Sequence, residues 1–81
     1  MDQDSQQMLF VVMIRKPGDD FAPLDQILRA KDVEEGRTIA AGRVRRHLLT
    51  HPDLTLDGAE LRGATSGTVY ASWDPRADSP S

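Results

Sequence analysis

The sequence predicts a small α+β domain: an antiparallel sheet in the order strand, strand, helix, strand, strand, with one helix packed on one face. Three observations predict it. An unbroken apolar run, Leu9-Phe10-Val11-Val12-Met13-Ile14, stops at a Pro-Gly turn. A stretch from residue 33 to residue 50 follows a capping pattern and carries a helical period. Two β-prone runs flank the loop Gly63-Ala64-Thr65-Ser66-Gly67. With 81 residues there is room for one small domain. Its Leu, Ile, Val and Phe together make up roughly 22% of the chain, just above the level that marks disorder.

Residues 1–7 are polar and lack any apolar period, so they are expected to be a disordered tail. Residues 74–81 carry two prolines and no core residue and are expected to be a second tail. The domain itself is placed at residues 8–73. Its first strand is the apolar run, which ends before Pro17-Gly18-Asp19-Asp20. Apolar side chains on both of its faces predict a central strand. Residues 21–31 admit a short helix with Pro23 at its first position, or a second strand. The strand is preferred, with Leu24, Gln26, Leu28 and Ala30 sharing one face.

Asp32-Val33-Glu34-Glu35 fits a capping box, with Asp32 accepting from an early amide and Glu35 reaching back to the cap. A helix is predicted over 33–50, closed by His51 ahead of Pro52. Val33, Gly36, Arg37, Ala40, Ala41, Val44, His47 and Leu48 fall in one arc, the expected core face. Glu35, Thr38, Arg45 and Arg46 point away, and Ile39 and Arg37 break the pattern. Gly42 lies toward solvent, so Gly42→Ala is expected to stabilise. Residues 59–62 and 68–73 then form a hairpin. In its second strand Val69, Ala71 and Trp73 share one face, with Trp73 as a core anchor, and Thr68, Tyr70 and Ser72 share the other. The sheet face away from the helix, or a strand edge, is where a partner or a second copy would attach.

Charge is uneven along the chain. Residues 1–36 carry net −4, residues 37–47 carry +4 through Arg37, Arg43, Arg45 and Arg46, and residues 48–81 carry −3. An acidic chain with one basic island does not have the footprint of a dedicated nucleic-acid binder. The absence of cysteine excludes a disulfide scaffold, a thiolate metal site and cysteine catalysis. The longest apolar run, residues 8–14, is too short to cross a bilayer. The N-terminus lacks the basic-then-apolar order of a secretory leader, so a cytoplasmic location and no membrane partner are expected.

Candidate chemistry is sparse. His47 and His51 are spaced i, i+4, as in helical metal pairs, but no HExxH frame or third ligand accompanies them. They are read as a core-border residue and a helix stop. Asp19, Asp20 and Asp25 cluster in a turn that is expected to be solvated, where paired carboxylates do no acid/base work. The loop at 63–67 lacks the lysine and following helix of a phosphate loop, and no Gly-x-Ser-x-Gly elbow exists. No cofactor is expected. The arginines are the distinctive charged group, read either as a helix-dipole feature or as a contact for phosphate or carboxylate.

Met8-Leu9-Phe10-Val11-Val12 followed by Glu35-Gly36-Arg37-Thr38-Ile39-Ala40-Ala41-Gly42 faintly resembles the YciI-like and muconolactone-isomerase-like ferredoxin-type domains. In those families a helix ends at Glu-Gly and a strand follows. The likeness covers only these two stretches. The second helix, the last strand and the first-helix histidine are missing, so no functional residue is carried over.

The functional expectation is a small acidic protein-interaction module, a regulator or inhibitor that binds a macromolecular partner without catalysis. Its candidate contacts are Arg37, Arg43, Arg45, Arg46 and Tyr70. One alternative is a nucleic-acid contact through the same arginines. Another is a small dimeric ferredoxin-like enzyme, which requires a strand over 37–44 and a cleft between subunits.

Overall fold

The computed structural model describes residues 7–24 and 26–75. Apart from Gln7, Asp74 and Pro75, the two expected tails lie outside the described residues. The elements are β1 (Met8–Arg15), β2 (Phe21–Pro23), β3 (Leu28–Ala30), α1 (Val33–Thr50), β4 (Gly58–Gly63) and β5 (Val69–Trp73). All strand pairs are antiparallel, and one helix lies on one face of the sheet. The predicted α+β class and element order hold. No helix among the described residues is long and apolar enough to cross a membrane.

β1 is central, as its apolar run implies. β4 pairs along one side of it, and β2 and β3 share the other side. Its burial nevertheless alternates. Phe10 and Val12 are fully buried, whereas Leu9 is exposed and Val11 and Met13 are half-buried. The continuous apolar sequence leads one to expect cover on both faces, but a single helix covers only one.

The predicted second strand is broken in two. β2 pairs with the C-terminal part of β1 from Met13 to Arg15, and β3 with the N-terminal part from Met8 to Phe10. The register differs between the two pieces: Met13 faces Pro23 but Phe10 faces Leu28, so the stretch linking them is two residues longer than the stretch of β1 opposite it. Leu24 continues the β2 ladder, its N–H donating to the Val12 carbonyl at 2.8 Å, so the missing amide of Pro23 falls on the side away from β1. On the predicted shared face Leu28 and Ala30 are buried, and Gln26 is exposed. Pro17 and Gly18 make the tight turn between β1 and β2. Gly18 has φ +84°, and the Asp19 N–H donates to the Lys16 carbonyl at 2.9 Å. That is a type II arrangement, with proline and glycine at the two central positions.

The helix spans the predicted residues. The Asp32 side chain accepts from the Glu35 N–H at 2.8 Å. The return arm differs by one residue: the Glu35 carboxylate accepts from the Lys31 N–H at 2.7 Å, just before the cap. The helix closes with the His51 N–H donating to the His47 carbonyl. Gly36, Ala40 and Val44 are its buried residues, a spacing of four that matches one helical face. Arg37, placed in the core arc by periodicity, is exposed, whereas Ile39, off the pattern, packs at the core margin. The reason is the position of the helix. It packs chiefly on β3, β1 and β4, which covers the flank bearing Ile39 and leaves the flank bearing Arg37 open.

Gly42 faces open space, with nothing within 4 Å of a Cβ built there. Gly42→Ala is therefore expected to stabilise the domain by ~1 kcal/mol through helix propensity alone. In thermal unfolding that is a rise of about 4–8 °C for a domain of this size. An unchanged or lower Tm would place Gly42 in contact with another group.

The core consists of Phe10 and Val12 of β1, Leu28 and Ala30 of β3, Ala40 and Val44 of the helix, Leu56, and Ala59 and Leu61 of β4. Trp73 packs against this cluster from its edge and stays partly exposed. The hairpin loop has Gly67 at φ +75° and the Gly63 N–H donating to the Thr68 carbonyl at 2.8 Å.

One face assignment in the hairpin is corrected. Leu61 pairs with Ala71 but Arg62 pairs with Val69, so Tyr70 is an extra residue, a β-bulge. A bulge shifts the alternation of side chains by one. Tyr70 therefore swings onto the helix side, where its ring meets Phe10 edge-to-face at 5.6 Å and lies beside Gly63. Val69 moves to the open side, paired with Arg62.

Candidate functional site

Two surfaces carry charged or exposed apolar side chains in organised positions. The first is a flank of the helix. Ile39, Gly42, Arg43 and Arg46 share it, and together with Gln26 they line an open cleft of about 520 Å³. Arg43 is half-buried, and its Nη1 donates to the Gln26 carbonyl at 3.1 Å. That bond uses one of the five guanidinium N–H donors and pins the head group beside the loop before β3. Arg46 lies one turn further along. Gly42 has no side chain between them, which keeps the cleft open. Among the described residues neither guanidinium has a carboxylate partner: the ion pairs join Arg15 to Asp57 and Arg62 to Glu60.

The other two arginines point elsewhere. Successive helical residues turn by about 100°, so Arg45 is rotated about 100° from Arg46, and Arg37 about 180°. Both are exposed. The basic island therefore divides, and only Arg43 and Arg46 share a cleft. The helix dipole accounts poorly for them, because its influence fades within the last turn. The basic residue of that turn is His47.

The second surface is the sheet face opposite the helix. Strand alternation and register place Leu9, Val11, Met13 and Arg15 of β1 there. Phe21 faces Arg15 from β2, and Glu60 and Arg62 face up from β4. The Phe21 ring sits under both guanidiniums, 5.1 Å from Arg15 and 5.4 Å from Arg62. Arg62 is held by Glu60 at 2.6–2.7 Å, and Arg15 by Asp57 at 3.2 Å. The alternation Glu60-Leu61-Arg62 is the sequence signal that could have placed the two charges on one face. The Phe21 contact was not legible, because it depends on the register of β2.

Tyr70 does not belong to this open face, for the reason given by the bulge. His47 and His51 have ring centroids 4.6 Å apart, and His51 Nδ1 lies 3.1 Å from the His47 carbonyl, a local helix-end contact. Among the described residues no group of three or more metal-ligating side chains forms. Asp19 and Asp20 are exposed on their turn, and Asp25 lies outside the described residues. Residues 37–44 are helical, so the strand that a ferredoxin-like enzyme needs there is not formed. The chain matches no protein-family model, no curated protein and no solved structure, so the chemistry of this surface is read from its own geometry.

Proposed function

We propose that this chain is a small protein-interaction module, a regulator or inhibitor that binds a macromolecular partner without catalysis. Its contact is the Arg43–Arg46 cleft, and the group it takes is a carboxylate-bearing segment of the partner. One observation carries this reading. Two guanidiniums line one cleft without a carboxylate partner among the described residues, in a chain of net charge −3. Like charges one helical turn apart cost a few tenths of a kcal/mol. A bound carboxylate removes that cost, and the planar fork of arginine donates two parallel N–H bonds to its oxygens.

The nucleic-acid alternative has less support. The aromatic residues Phe10, Phe21, Tyr70 and Trp73 lie in the sheet strands and do not line the Arg43–Arg46 cleft, so no stacking platform adjoins its charge. The test uses fluorescence anisotropy on the full chain with two probes, a labelled ten-residue glutamate peptide and a labelled ten-nucleotide oligothymidylate. The expected result is that the peptide binds, and that the double variant Arg43→Gln/Arg46→Gln loses at least tenfold in affinity with an unchanged circular-dichroism spectrum. Preference for the oligonucleotide, with affinity falling steeply in salt, would replace this reading with the nucleic-acid one. No binding of either probe would overturn both.

A further inference from the structure

The two edges of the sheet are built differently. The β2/β3 edge is broken into two three-residue pieces and carries Pro23, devices that discourage further pairing. The β5 edge is five residues, Val-Tyr-Ala-Ser-Trp, with a bulge at Tyr70 but no charge and no proline, and its regular part is Ala71-Ser72-Trp73. Val69, Tyr70 and Trp73 are strand-favouring types, and among the described strands β5 pairs only with β4. The helix packs chiefly on β3, β1 and β4, so the helix side of β5 has little cover. Val69 and Tyr70 are 48% and 40% exposed, and Ala71 and Trp73 are only half-buried.

We infer that β5 pairs antiparallel with β5 of a second copy of this chain, giving one continuous sheet across a two-fold axis. Antiparallel self-pairing makes the strand its own complement. The strand is neutral, so the net −3 of the chain brings no like charges face to face at the seam. Face parity limits the register. Ala71 and Trp73 lie on the helix side, paired with Leu61 and Ala59, and Ser72 lies on the open side, paired with Glu60. Opposed residues must share a face. Placing Ser72 opposite its own mate satisfies this, and sets each Ala71 against the partner copy's Trp73. A small side chain then faces a large one on the strip that the helix leaves open.

The chain has no cysteine, which makes the register testable by a single substitution. Directly opposed residues in an antiparallel pair have Cα atoms about 4.5–5.5 Å apart, within disulfide range. Ser72→Cys is expected to form a disulfide-linked dimer under mild oxidation, while Thr38→Cys, on the exposed helix surface, does not. Sedimentation equilibrium of the unmodified chain is expected to give twice the chain mass, and Ser72→Lys, which opposes two like charges at the axis, the monomer mass with unchanged circular dichroism. A wild-type monomer at 100 μM would overturn the inference. Equal crosslinking of both cysteine variants, or a dimer that survives Ser72→Lys, would overturn the β5 seam.

Discussion

Phe10→Ala removes about 3–5 kcal/mol of stability, the cost of emptying a buried aromatic site. Phe10 is wholly inaccessible on the central strand, opposite Leu28 on one side and Gly63 on the other. Its ring touches the helix at Gly36 and meets Tyr70 edge-to-face. Removing it strips contacts from the helix and from both flanking strands at once. A domain of this size has a total stability of about 4–12 kcal/mol, so the variant is expected to be largely or partly unfolded at 37 °C. Urea unfolding followed by the fluorescence of the single tryptophan, Trp73, measures the loss. A cost below ~1 kcal/mol would mean that Phe10 is not the centre of the core.

Gly36→Ala is expected to destabilise although alanine is the better helix former. A Cβ at Gly36 would lie 2.9 and 3.0 Å from two carbons of the Phe10 ring and 3.3 Å from Leu61 Cδ2. Those groups are fully buried and have little room to shift. Overpacking of this kind costs about 1–3 kcal/mol, and the propensity gain returns ~1 kcal/mol. The net effect is a loss of up to about 2 kcal/mol, with a fall in Tm of about 4–8 °C for each kcal/mol. Gly42→Ala, six positions on in the same helix, has the opposite sign because nothing faces it. A double-mutant cycle identifies the cause. Phe10→Leu, with its smaller side chain, is expected to relieve part of the Gly36→Ala penalty, with a coupling above about 0.5 kcal/mol. Simple additivity would show that the strain lies elsewhere.

Both glycines were read from the sequence as helical positions, and one was correctly set toward solvent. What periodicity could not rank was the tightness of the helix–sheet approach. Gly36 lies against Phe10 of β1 and Leu61 of β4, and only the packed structure shows that these two side chains occupy the missing side chain's space. The same limit explains Arg37 and Ile39. A periodic pattern defines an apolar arc but not the strand toward which the helix leans. The candidate contacts divide for a related reason. The basic island was legible as four arginines, whereas the convergence of Arg43 and Arg46 on Gln26 depends on where the chain returns from β2 to β3.

Tyr70 shows the clearest division of this kind. Alternation along 68–73 assigned it to the open face, and that rule holds only while two strands advance in step. The bulge opposite Leu61 and Arg62 inserts one residue, and every assignment before it changes side. Local chemistry was sufficient for what depends on near neighbours: the strand at 8–15, the Pro-Gly turn, the capped helix at 33–50 and the hairpin around residues 63–67. These rest on backbone preferences and short-range hydrogen bonds written in consecutive residues. The split of the second strand, the lean of the helix, the side on which Tyr70 stands and the pairing of two arginines in one cleft were decided only by tertiary structure. Each depends on which distant segment packs against the residue, and no local preference encodes that.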